Sequence, residues 1–301
     1  MSPVKRYGNK INGVLLLDKA TGISSNHALQ RVKRLFQANK AGHTGSLDPL
    51  ATGMLPICLG EATKFSQFLL DADKSYLVTI KLGIATDSGD SEGNIIATQD
   101  VPNLTLEKIN SELDSFRGEI TQIPPMYSAL KHNGQPLYKL ARQGIEIERK
   151  QRVITIKNLQ IIEYDAINNI LIIDVSCTKG SYMRTLAMDI GEKLQCGAHV
   201  IALRRLATGP YSQDSIMHSI ENITENSTDL LHSVTSMLDN LPRLELTLQE
   251  AIDLQHGKKI NVIDHDLQGL IKLYSENKFL GIGEIDLLGV LRVKRLMATE
   301  S

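Results

Sequence analysis

The chain has 301 residues, and at roughly 150 residues per domain this length predicts about two domains. Hydrophobic residues make up 42% of it and charged residues 22%, which is ordinary for a soluble globular protein. Apolar runs such as 14–17 are far shorter than the roughly 20 residues that cross a bilayer. Charged residues also interrupt the N-terminal region, so no signal peptide is expected. These features exclude a helical membrane protein and predict a cytoplasmic one.

The formal net charge of −1 argues against a nucleic-acid partner only if charge is spread evenly along the chain. Residues 1–47 carry eight Lys and Arg against one Asp, a net charge of +7, and residues 131–157 carry a net charge of +5. Residues 71–119 and 214–253 compensate with −6 and −7. Blocks of this kind let a neutral protein present a basic face to a polyanion. We expect the acidic segments largely to face away from such a partner.

Hydrophobic periodicity predicts several strands and fewer helices, with no regular alternation of strand and helix. Helices are predicted for three runs with apolar spacing: 28–35, which has Ser24 or Ser25 as its N-cap, 106–116 and 183–194. Strands are predicted for three runs rich in β-branched residues: 76–82, 153–156 and 170–175. This irregular order indicates an α+β fold around a mixed or antiparallel sheet.

The C-terminal part changes character from residue 217 onward. Segment 217–243 is acidic and rich in Ser, Thr and Asn, and we interpret it as a connector with a helical stretch around 230–238. Beyond it, Thr247 and Glu250 form a capping-box pattern that predicts a short helix. Short strands are predicted after that helix: 270–274, 279–285 and 290–295. This β-rich unit is near the lower size limit for independent stability, so we expect it to lean on the first domain.

Segment 117–152 stands apart from the predicted helices and strands around it. Two prolines at 124–125 break any regular element, and the Asn133-Gly134 pair is a tight-turn signal. The stretch 131–152 is basic and follows closely on a tyrosine, with a second tyrosine inside it. Two interpretations are open here: an exposed hairpin and helix with solvated charges, or a mobile arm that grips a polyanion.

The densest group of special residues is the run AGHTGSLDPLATG at 41–53, whose glycines and proline predict a tightly turned loop. Asp48 directly precedes Pro49, a pattern that suits a helix N-cap followed by proline at the first helical position. The alternative is a carboxylate held on a rigid loop, where neighbouring glycines let a substrate approach closely. His43 could be a general base, a stacking ring or an ordinary loop histidine.

A second candidate group follows Gly180, where Tyr182 and Arg184 lie at a predicted strand-to-helix transition. An arginine at a helix start opposes the helix dipole and therefore favours a local anion. That anion could be a phosphate or a carboxylate such as Asp48, and a surface arginine also fits the pattern. A pair with Asp48 would keep the carboxylate ionised and fix its orientation.

Other familiar motifs are absent from the sequence. Residues 60–64 lack the P-loop pattern, no Rossmann glycine pattern follows a strand, and no serine-hydrolase elbow occurs. Residues 87–93 miss the EF-hand spacing and are interpreted as an acidic hairpin turn. Three distant cysteines are expected to be reduced, semi-buried thiols and to form neither a disulfide set nor a zinc site: Cys58, Cys177 and Cys196.

Two long runs carry a resemblance to a known family: GHTGSLDPLATGMLPICLGEATKF at 42–65 and KGSYMRTLAMDIGEKLQCGAHVIALRRL at 179–206. With LLDKATGISSN upstream and KSYLVTIKLGIATDSGDSEG downstream of the first run, nearly the whole chain resembles the bacterial tRNA pseudouridine synthase B family. The run PPMYSALKHNGQPLYKLARQG at 124–144 is similar to that family's RNA-gripping insertion. FLGIGEIDLLGVLRVKRL at 279–296 is similar to its short PUA domain.

The resemblance implies a pseudouridine synthase catalytic domain over 1–242, built around a mixed, largely antiparallel sheet. It places an RNA-gripping insertion at about 124–152 and a small, β-rich, PUA-like RNA-binding domain at 243–301. It also implies an isomerase that converts uridine at position 55 in the T-loop of tRNA to pseudouridine. The expected partner is tRNA, and we expect a monomer with no membrane association, no metal and no cofactor.

The family's functional residues map onto matching positions of this sequence. Asp48 matches the essential catalytic carboxylate, Tyr76 the tyrosine that stacks on the target base, and Arg184 the arginine that pairs with the carboxylate. Three positions match residues that line the uridine pocket: His43, Tyr182 and Leu203. Three cations of the insertion, which we call the arm cations, are expected to contact phosphate: Lys131, Lys139 and Arg142.

The reaction needs an ionised carboxylate close to the sugar, because Asp48 would either attack C1′ or remove a sugar proton to give a glycal. The base would be flipped out of the folded loop onto Tyr76, whose hydroxyl could assist the later proton loss from C5. One competing hypothesis is a non-catalytic RNA-binding module or tRNA chaperone of the same fold. A carboxylate glycosidase ranks low, because it needs a second placed acid. We expect none in a comparably rigid loop at 87–92.

Overall fold

The structure is a computed structural model that describes residues 8–262 and 267–298, so Lys5 and Arg6 of the N-terminal basic segment lie outside the described residues. The α-helices are α1 (Ser25–Leu35), α2 (Ser66–Asp71), α3 (Leu106–Leu113), α4 (Leu137–Ala141), α5 (Met183–Lys193) and α6 (Leu248–Gln255). The first strands are β1 (Gly13–Lys19), β2 (Ala41–His43), β3 (Thr52–Leu59), β4 (Lys74–Leu82), β5 (Ile84–Thr86), β6 (Ile95–Thr98), β7 (Gly118–Gln122), β8 (Lys131–His132) and β9 (Gln135–Pro136). The later strands are β10 (Arg152–Asp165), β11 (Ile170–Cys177), β12 (Ala198–Thr208), β13 (Arg243–Glu245), β14 (Ile260–Asn261), β15 (Gly269–Ser275), β16 (Lys278–Ile285) and β17 (Val290–Leu296).

An eight-stranded sheet forms the centre of the larger part of the molecule, in the order β1-β3-β12-β4-β11-β10-β7, with β2 added to β3. Its strand pairs are antiparallel except for β12 and β3, which run parallel where Arg204 and Arg205 face Thr52 and Gly53. The sheet is therefore mixed and largely antiparallel, and the predicted α+β class is confirmed. Helices α1, α3 and α5 supply apolar side chains to the core on one face of this sheet.

Strand β1 shows why the sheet is buried on both sides. Leu15 and Leu17 enter the large core with the helices, whereas Val14 and Leu16 enter a second cluster on the opposite face. Alternation along a strand sends neighbouring side chains to opposite faces, so a strand that is apolar throughout needs cover on both.

Part of that cover on the second face comes from segment 217–243, which the sequence analysis interpreted as a connector. Its His232 exchanges two backbone hydrogen bonds of 2.9 Å with Val14. Its apolar side chains are buried against the sheet: Val234, Met237 and Leu238. The predicted helical stretch at 230–238 is met only in part, because the chain forms two short 3₁₀ helices, Ser227–Leu230 and Val234–Leu238, and no α-helix. Ser and Thr side chains compete for local backbone groups and favour such turns over α-helix.

The C-terminal part is a five-stranded sheet in the order β13-β15-β16-β17-β14, packed with α6. Thr247 and Glu250 form the predicted capping box at the start of α6. As expected, this unit leans on the larger part: the rings of Phe65 and Phe279 lie 5.6 Å apart, and Lys64 donates to the carbonyl of Leu296 at 3.1 Å.

The cysteines differ from the expectation, because all three are fully buried, with side chains at most 1% exposed. Burial raises the pKa of Cys58 to about 12 and that of Cys177 to about 11, which keeps both as unreactive thiols at neutral pH. Within the described ranges, no group of three or more His, Cys, Asp or Glu residues could hold a metal ion. No helix there has the length and apolarity that crossing a membrane requires.

Candidate active site

The loop that carries Asp48 joins β2 to β3 and is fixed from below by α1. The hydroxyl of Ser25 donates to the carbonyl of Leu47 at 3.0 Å, and the Leu47 amide donates back to that hydroxyl at 2.7 Å. No helix follows Asp48: the chain bends at Pro49 and Leu50 and enters β3 at Thr52. The N-cap interpretation is therefore wrong, and Asp48 lies on a rigid loop that is tied to the core.

Lys19 supports the same loop from a buried position. Its side chain is 1% exposed, and its ammonium donates to three backbone carbonyls, those of Ala20 at 2.9 Å, Ile23 at 2.7 Å and Pro49 at 3.3 Å. Burial lowers the pKa of Lys19 to about 8, and the charge of Asp48 opposes that fall. Lys19 belongs to the basic segment 1–47, which was expected to present its charge to a polyanion, but the residue lies buried beneath the Asp48 loop.

Arg184 holds the Asp48 carboxylate through two atoms. Its Nε lies 2.9 Å from Oδ2, and its Nη2 donates to Oδ1 at 3.2 Å. The guanidinium is buried in the first turn of α5, whereas the side chain of Asp48 is 39% exposed. Burial by the surrounding groups raises the pKa of Asp48, and the Arg184 charge opposes that rise and favours the ionised form. The anion that an arginine at this helix start favours is therefore Asp48.

Arg184 has a second carboxylate neighbour that the sequence analysis missed. Its Nη1 lies 3.6 Å from Oδ2 of Asp90 and donates to the carbonyl of Ser88 at 3.1 Å. Asp90 does lie in a hairpin turn between β5 and β6, as predicted, but it is 4% exposed and accepts from the Ser88 hydroxyl at 2.6 Å. The expectation that no acid at 87–92 is rigidly held is wrong for Asp90. No local pattern marks it, because an acidic turn is ordinarily solvated.

Asp48 opens onto a cavity of about 440 Å³, which is within the size range of small-molecule sites. The cavity brings together five of the predicted site residues: Asp48, Tyr76, Tyr182, Arg184 and Leu203. Asp48 is the one carboxylate among its described lining residues, so Asp90, which lies behind Arg184, does not supply the second acid of a glycosidase.

Among the residues predicted to form the uridine pocket or to act on the base, His43 is the one that does not line this cavity. It ends β2 opposite Ile57 of β3, and it is not among the residues that line the cavity. Its Nδ1 is buried without a hydrogen-bond partner among the described residues, and burial lowers its pKa. A role for His43 in the uridine pocket stays a prediction.

Two adjacent antiparallel strands, β4 and β12, form the floor of the cavity. Tyr76 of β4 lies directly opposite Arg205 of β12, and Leu203 lies opposite Val78. Because every second residue of a strand shares a face, Lys74 and Tyr76 reach the cavity from β4, and Leu203 and Arg205 reach it from β12. Burial raises the pKa of the Tyr76 hydroxyl, so it is protonated at neutral pH.

Lys74 and Arg205 are cavity cations that sequence reasoning missed. Lys74 donates to the carbonyls of Leu69, Leu70 and Ala72 at 3.2, 3.2 and 2.6 Å, and burial lowers its pKa to about 8. Their alternation with Tyr76 and Leu203 was the available signal, since residues i and i+2 of a strand share a face.

The segment resembling an RNA-gripping insertion borders the cavity and also faces solvent. Its residues Ser128, Ala129 and Leu130 line the cavity, and the carbonyl of Tyr127 accepts a 2.7 Å hydrogen bond from Arg184. A hairpin turns at Asn133 and Gly134, as predicted, and leads into α4. The arm cations are all exposed, and none of them forms an ion pair with another residue in the described ranges. The structure thus contains the exposed hairpin and helix of the first interpretation, and an arm that grips a polyanion stays a prediction.

Three family models together match residues 33–297 of the chain. The N-terminal domain model of the TruB family pseudouridylate synthases matches residues 33–183. The tRNA pseudouridylate synthase B C-terminal domain matches 184–241, and the C-terminal model of pseudouridine synthase II TruB matches 242–297. The chain belongs to the TruB family of pseudouridine synthases.

Curated relatives agree with this assignment over nearly the full length. The chain is 50% identical to the tRNA pseudouridine synthase B of Actinobacillus pleuropneumoniae serotype 5b, with 99% of both chains covered. It is 52% identical to the protein of the same name from Coxiella burnetii strain Dugway, with 93% of both chains covered. The sequence-based resemblance and the assignment as a pseudouridine synthase are confirmed.

A solved structure shares the fold. A chain in the crystal structure of a Cbf5-Nop10-Gar1 complex superposes with a TM-score of 0.73 and 22% sequence identity, covering 98% of this chain and 87% of that one. At this identity the likeness bears on the fold alone, and it agrees with the catalytic and β-rich parts described above.

Proposed function

We propose that this TruB-family enzyme converts uridine at position 55 in the T-loop of tRNA to pseudouridine, with Asp48 as the essential carboxylate. The observation that carries the proposal is the two-point contact between Arg184 and Asp48 at a cavity floored by Tyr76. The names of the curated relatives support tRNA as the substrate. We further propose that the enzyme works in the cytoplasm as a monomer and needs no cofactor.

The chemistry suits a lone carboxylate. The N1–C1′ bond of uridine breaks, the uracil turns, and C5 joins C1′, after which C5 loses its proton and N1 regains one. Asp48 either forms a bond to C1′ or takes the 2′ proton to leave a glycal. Both routes need the ionised carboxylate that contact with Arg184 favours.

Base flipping supplies the second part of the proposal. A uracil in the T-loop has to leave its stack before its sugar can reach Asp48. Stacking of the flipped base on an aromatic ring contributes about 1–3 kcal/mol per base, which offsets part of the stacking free energy lost in the T-loop. Tyr76 is the ring of the cavity floor, and Tyr182 and Leu203 supply the apolar contacts around it.

The segments that contact the rest of the tRNA are assigned from their exposed charges and from the resemblance to the family. We assign 1–242 to the catalytic domain, about 124–152 to an arm that grips the tRNA backbone, and 243–301 to a PUA-like RNA-binding domain. The arm cations are exposed and form no ion pair with any described residue, which supports the arm's role, because cations that neutralise phosphate release bound counterions and strengthen binding.

The test measures tritium released from uridine labelled at C5 in a tRNA transcript, with tRNA binding followed in parallel. Asp48→Asn removes the charge and keeps the side-chain size, so we expect no release while tRNA binding survives. Asp87→Asn, in the acidic turn outside the cavity, is the matched control and should release tritium as the wild type does. A wild-type protein that binds tRNA without releasing tritium would instead support the non-catalytic RNA-binding module. An active Asp48→Asn variant would overturn the role of the carboxylate.

A further inference from the structure

Arg205 is the largest fully buried side chain of the described residues, at 1% exposure. No carboxylate in the described part of the chain lies within 4.0 Å of its guanidinium. Arg184, the other buried arginine of the site, has both Asp48 and Asp90 beside it. A buried charge without a counterion is costly to fold, so its presence calls for a compensating role.

The backbone around Arg205 holds its side chain in one place. Its Nε donates to the carbonyl of Met54 at 2.6 Å, and its Nη2 donates to the carbonyl of Gly45 at 3.1 Å. A Cβ on Gly53 would lie 2.3 Å from the carbonyl oxygen of Arg205, so only glycine lets β3 pass this close. The guanidinium is thereby fixed under the Asp48 loop and beside the Tyr76 hydroxyl, and its Nη1 donates to no carbonyl or carboxylate oxygen among the described residues.

The other cations of the site have no donor to spare. An ammonium has three protons, and both Lys19 and Lys74 donate to three backbone carbonyls. Arg184 is committed to two carboxylates and two carbonyls. Arg205 is therefore the cavity cation with an N–H left for a substrate. Burial is the main cause of the lowered pKa of Lys74 and of His43, and the positive charge of Arg205 lowers both further, so its field extends through the site.

Cleavage of the glycosidic bond creates a uracil anion, which a fixed cation such as Arg205 can stabilise. When the N1–C1′ bond breaks, its electron pair leaves with the uracil and spreads over N1, O2 and O4. At the same time an oxygen of Asp48 bonds to C1′, or it takes the 2′ proton while C1′ and C2′ form a double bond. We propose that Arg205 stabilises the departing uracil anion, on either route, through its fixed charge and the N–H groups of its Nη1. This inference rests on the proposed function.

The test varies the leaving group. A T-arm RNA hairpin is prepared with either uridine or 5-fluorouridine at the target position, and the single-turnover loss of that nucleoside is measured in enzymatic digests. Fluorine withdraws electrons and stabilises the uracil anion, so cleavage of the fluorinated substrate depends less on the protein. Removing one fixed electrostatic donor costs about 100-fold or more in rate, and we expect Arg205→Gln to lose about that factor on uridine. The loss should be about 10-fold or less on 5-fluorouridine, with RNA binding retained.

Arg204→Gln is the matched control, because Arg204 is the next residue on β12 and pairs with Asp18 away from the cavity. Its ratio of 5-fluorouridine to uridine rates should equal that of the wild type. Arg205→Lys keeps the charge and should show a smaller change in that ratio; if the Gln variant does not fold, Arg205→Lys against wild type carries the comparison.

Equal losses on both substrates would show that Arg205 only holds the loop, and would overturn the inference. Wild-type rates in the Arg205→Gln variant would overturn it too. Either result leaves the proposed function intact as long as the wild type converts uridine. A wild type that converts neither substrate would instead refute the proposed function itself.

Discussion

The charge of Arg184 should set the pH at which the enzyme loses activity in acid. In the proposed mechanism the carboxylate of Asp48 works in its ionised form, so activity should be present above its pKa and should fall as the pH drops through it. Burial and Asp90 raise that pKa, while Arg184 and Lys19 lower it. Arg184→Gln removes the largest lowering influence, so the acid limb of the pH profile should move to higher pH.

The size of this change follows from the geometry. An opposite charge in direct contact lowers a carboxyl pKa by about one to three pH units. The contact here is two-point, at 2.9 and 3.2 Å, but the Asp48 side chain is 39% exposed, and solvent screening weakens such pairs. We therefore expect the acid limb to rise by about one to two pH units.

The assay is the pH dependence of kcat/KM for tritium release, with circular dichroism at each pH as the folding control. If Arg184→Gln only disturbs the orientation of Asp48, kcat/KM should fall by the same factor at every pH. If it removes the charge effect, the acid limb of the profile should shift along the pH axis. The double variant Arg184→Gln/Asp90→Asn separates the two, because it also removes the carboxylate that would stand unpaired beside Asp48. The acid limb of the double variant should therefore lie at lower pH than that of Arg184→Gln. An acid limb that stays in place, or moves to lower pH, in Arg184→Gln would refute the reasoning.

Three further predictions concern RNA binding, base stacking and stability. Replacing all three arm cations by Gln should reduce the slope of log binding constant against log salt concentration by about two to three. Filter binding at several salt concentrations measures this slope. An unchanged slope would mean that the arm does not touch phosphate. Tyr76→Phe should keep most RNA affinity, whereas Tyr76→Ala should lose about 1–3 kcal/mol of binding free energy from stacking. Titration with T-arm RNA compares the two variants. Equal losses of affinity in both would exclude stacking. Leu273 is fully buried in the C-terminal sheet, so Leu273→Ala should lower the free energy of unfolding by about 2–5 kcal/mol in denaturant titrations. A decrease well under 1 kcal/mol would contradict the packing of this side chain.

Local signals predicted the elements that depend on a few neighbouring residues. Ser24 caps α1 by accepting from the amide of His27, Thr247 and Glu250 begin α6, and Asn133 with Gly134 turns the arm hairpin. Each of these signals is complete within about four positions, because a cap or turn satisfies its own backbone groups. Their outcome hardly depends on the rest of the fold.

The buried charges could not be predicted in this way. Lys19, Asp90 and Arg205 belong to residue types that are mostly exposed, and nothing in their neighbouring sequence indicates burial. What buries them is pairing across the chain: Arg184 meets Asp48 from 136 positions away, and Arg205 meets Met54 from 151. Segment 217–243 was misjudged for a related reason, because its many polar residues hide the few apolar ones that pack against β1.

The placement of charge explains why a chain with a net charge of −1 suits a polyanionic substrate. Four cations lie around the Asp48 loop and its cavity, against the two carboxylates of Asp48 and Asp90, a local surplus of +2. The cations are Lys19, Lys74, Arg184 and Arg205. With pKa values near 8, both lysines stay charged at neutral pH. Arg184 favours the ionised form of Asp48, and the two lysines each fix backbone near the cavity, Lys19 at 20–49 and Lys74 at 69–72. In our proposal, Arg205 is left for the negative charge that the reaction creates. Net charge therefore says little about such a site, since a site responds to the charges fixed within a few ångströms of the reacting atoms.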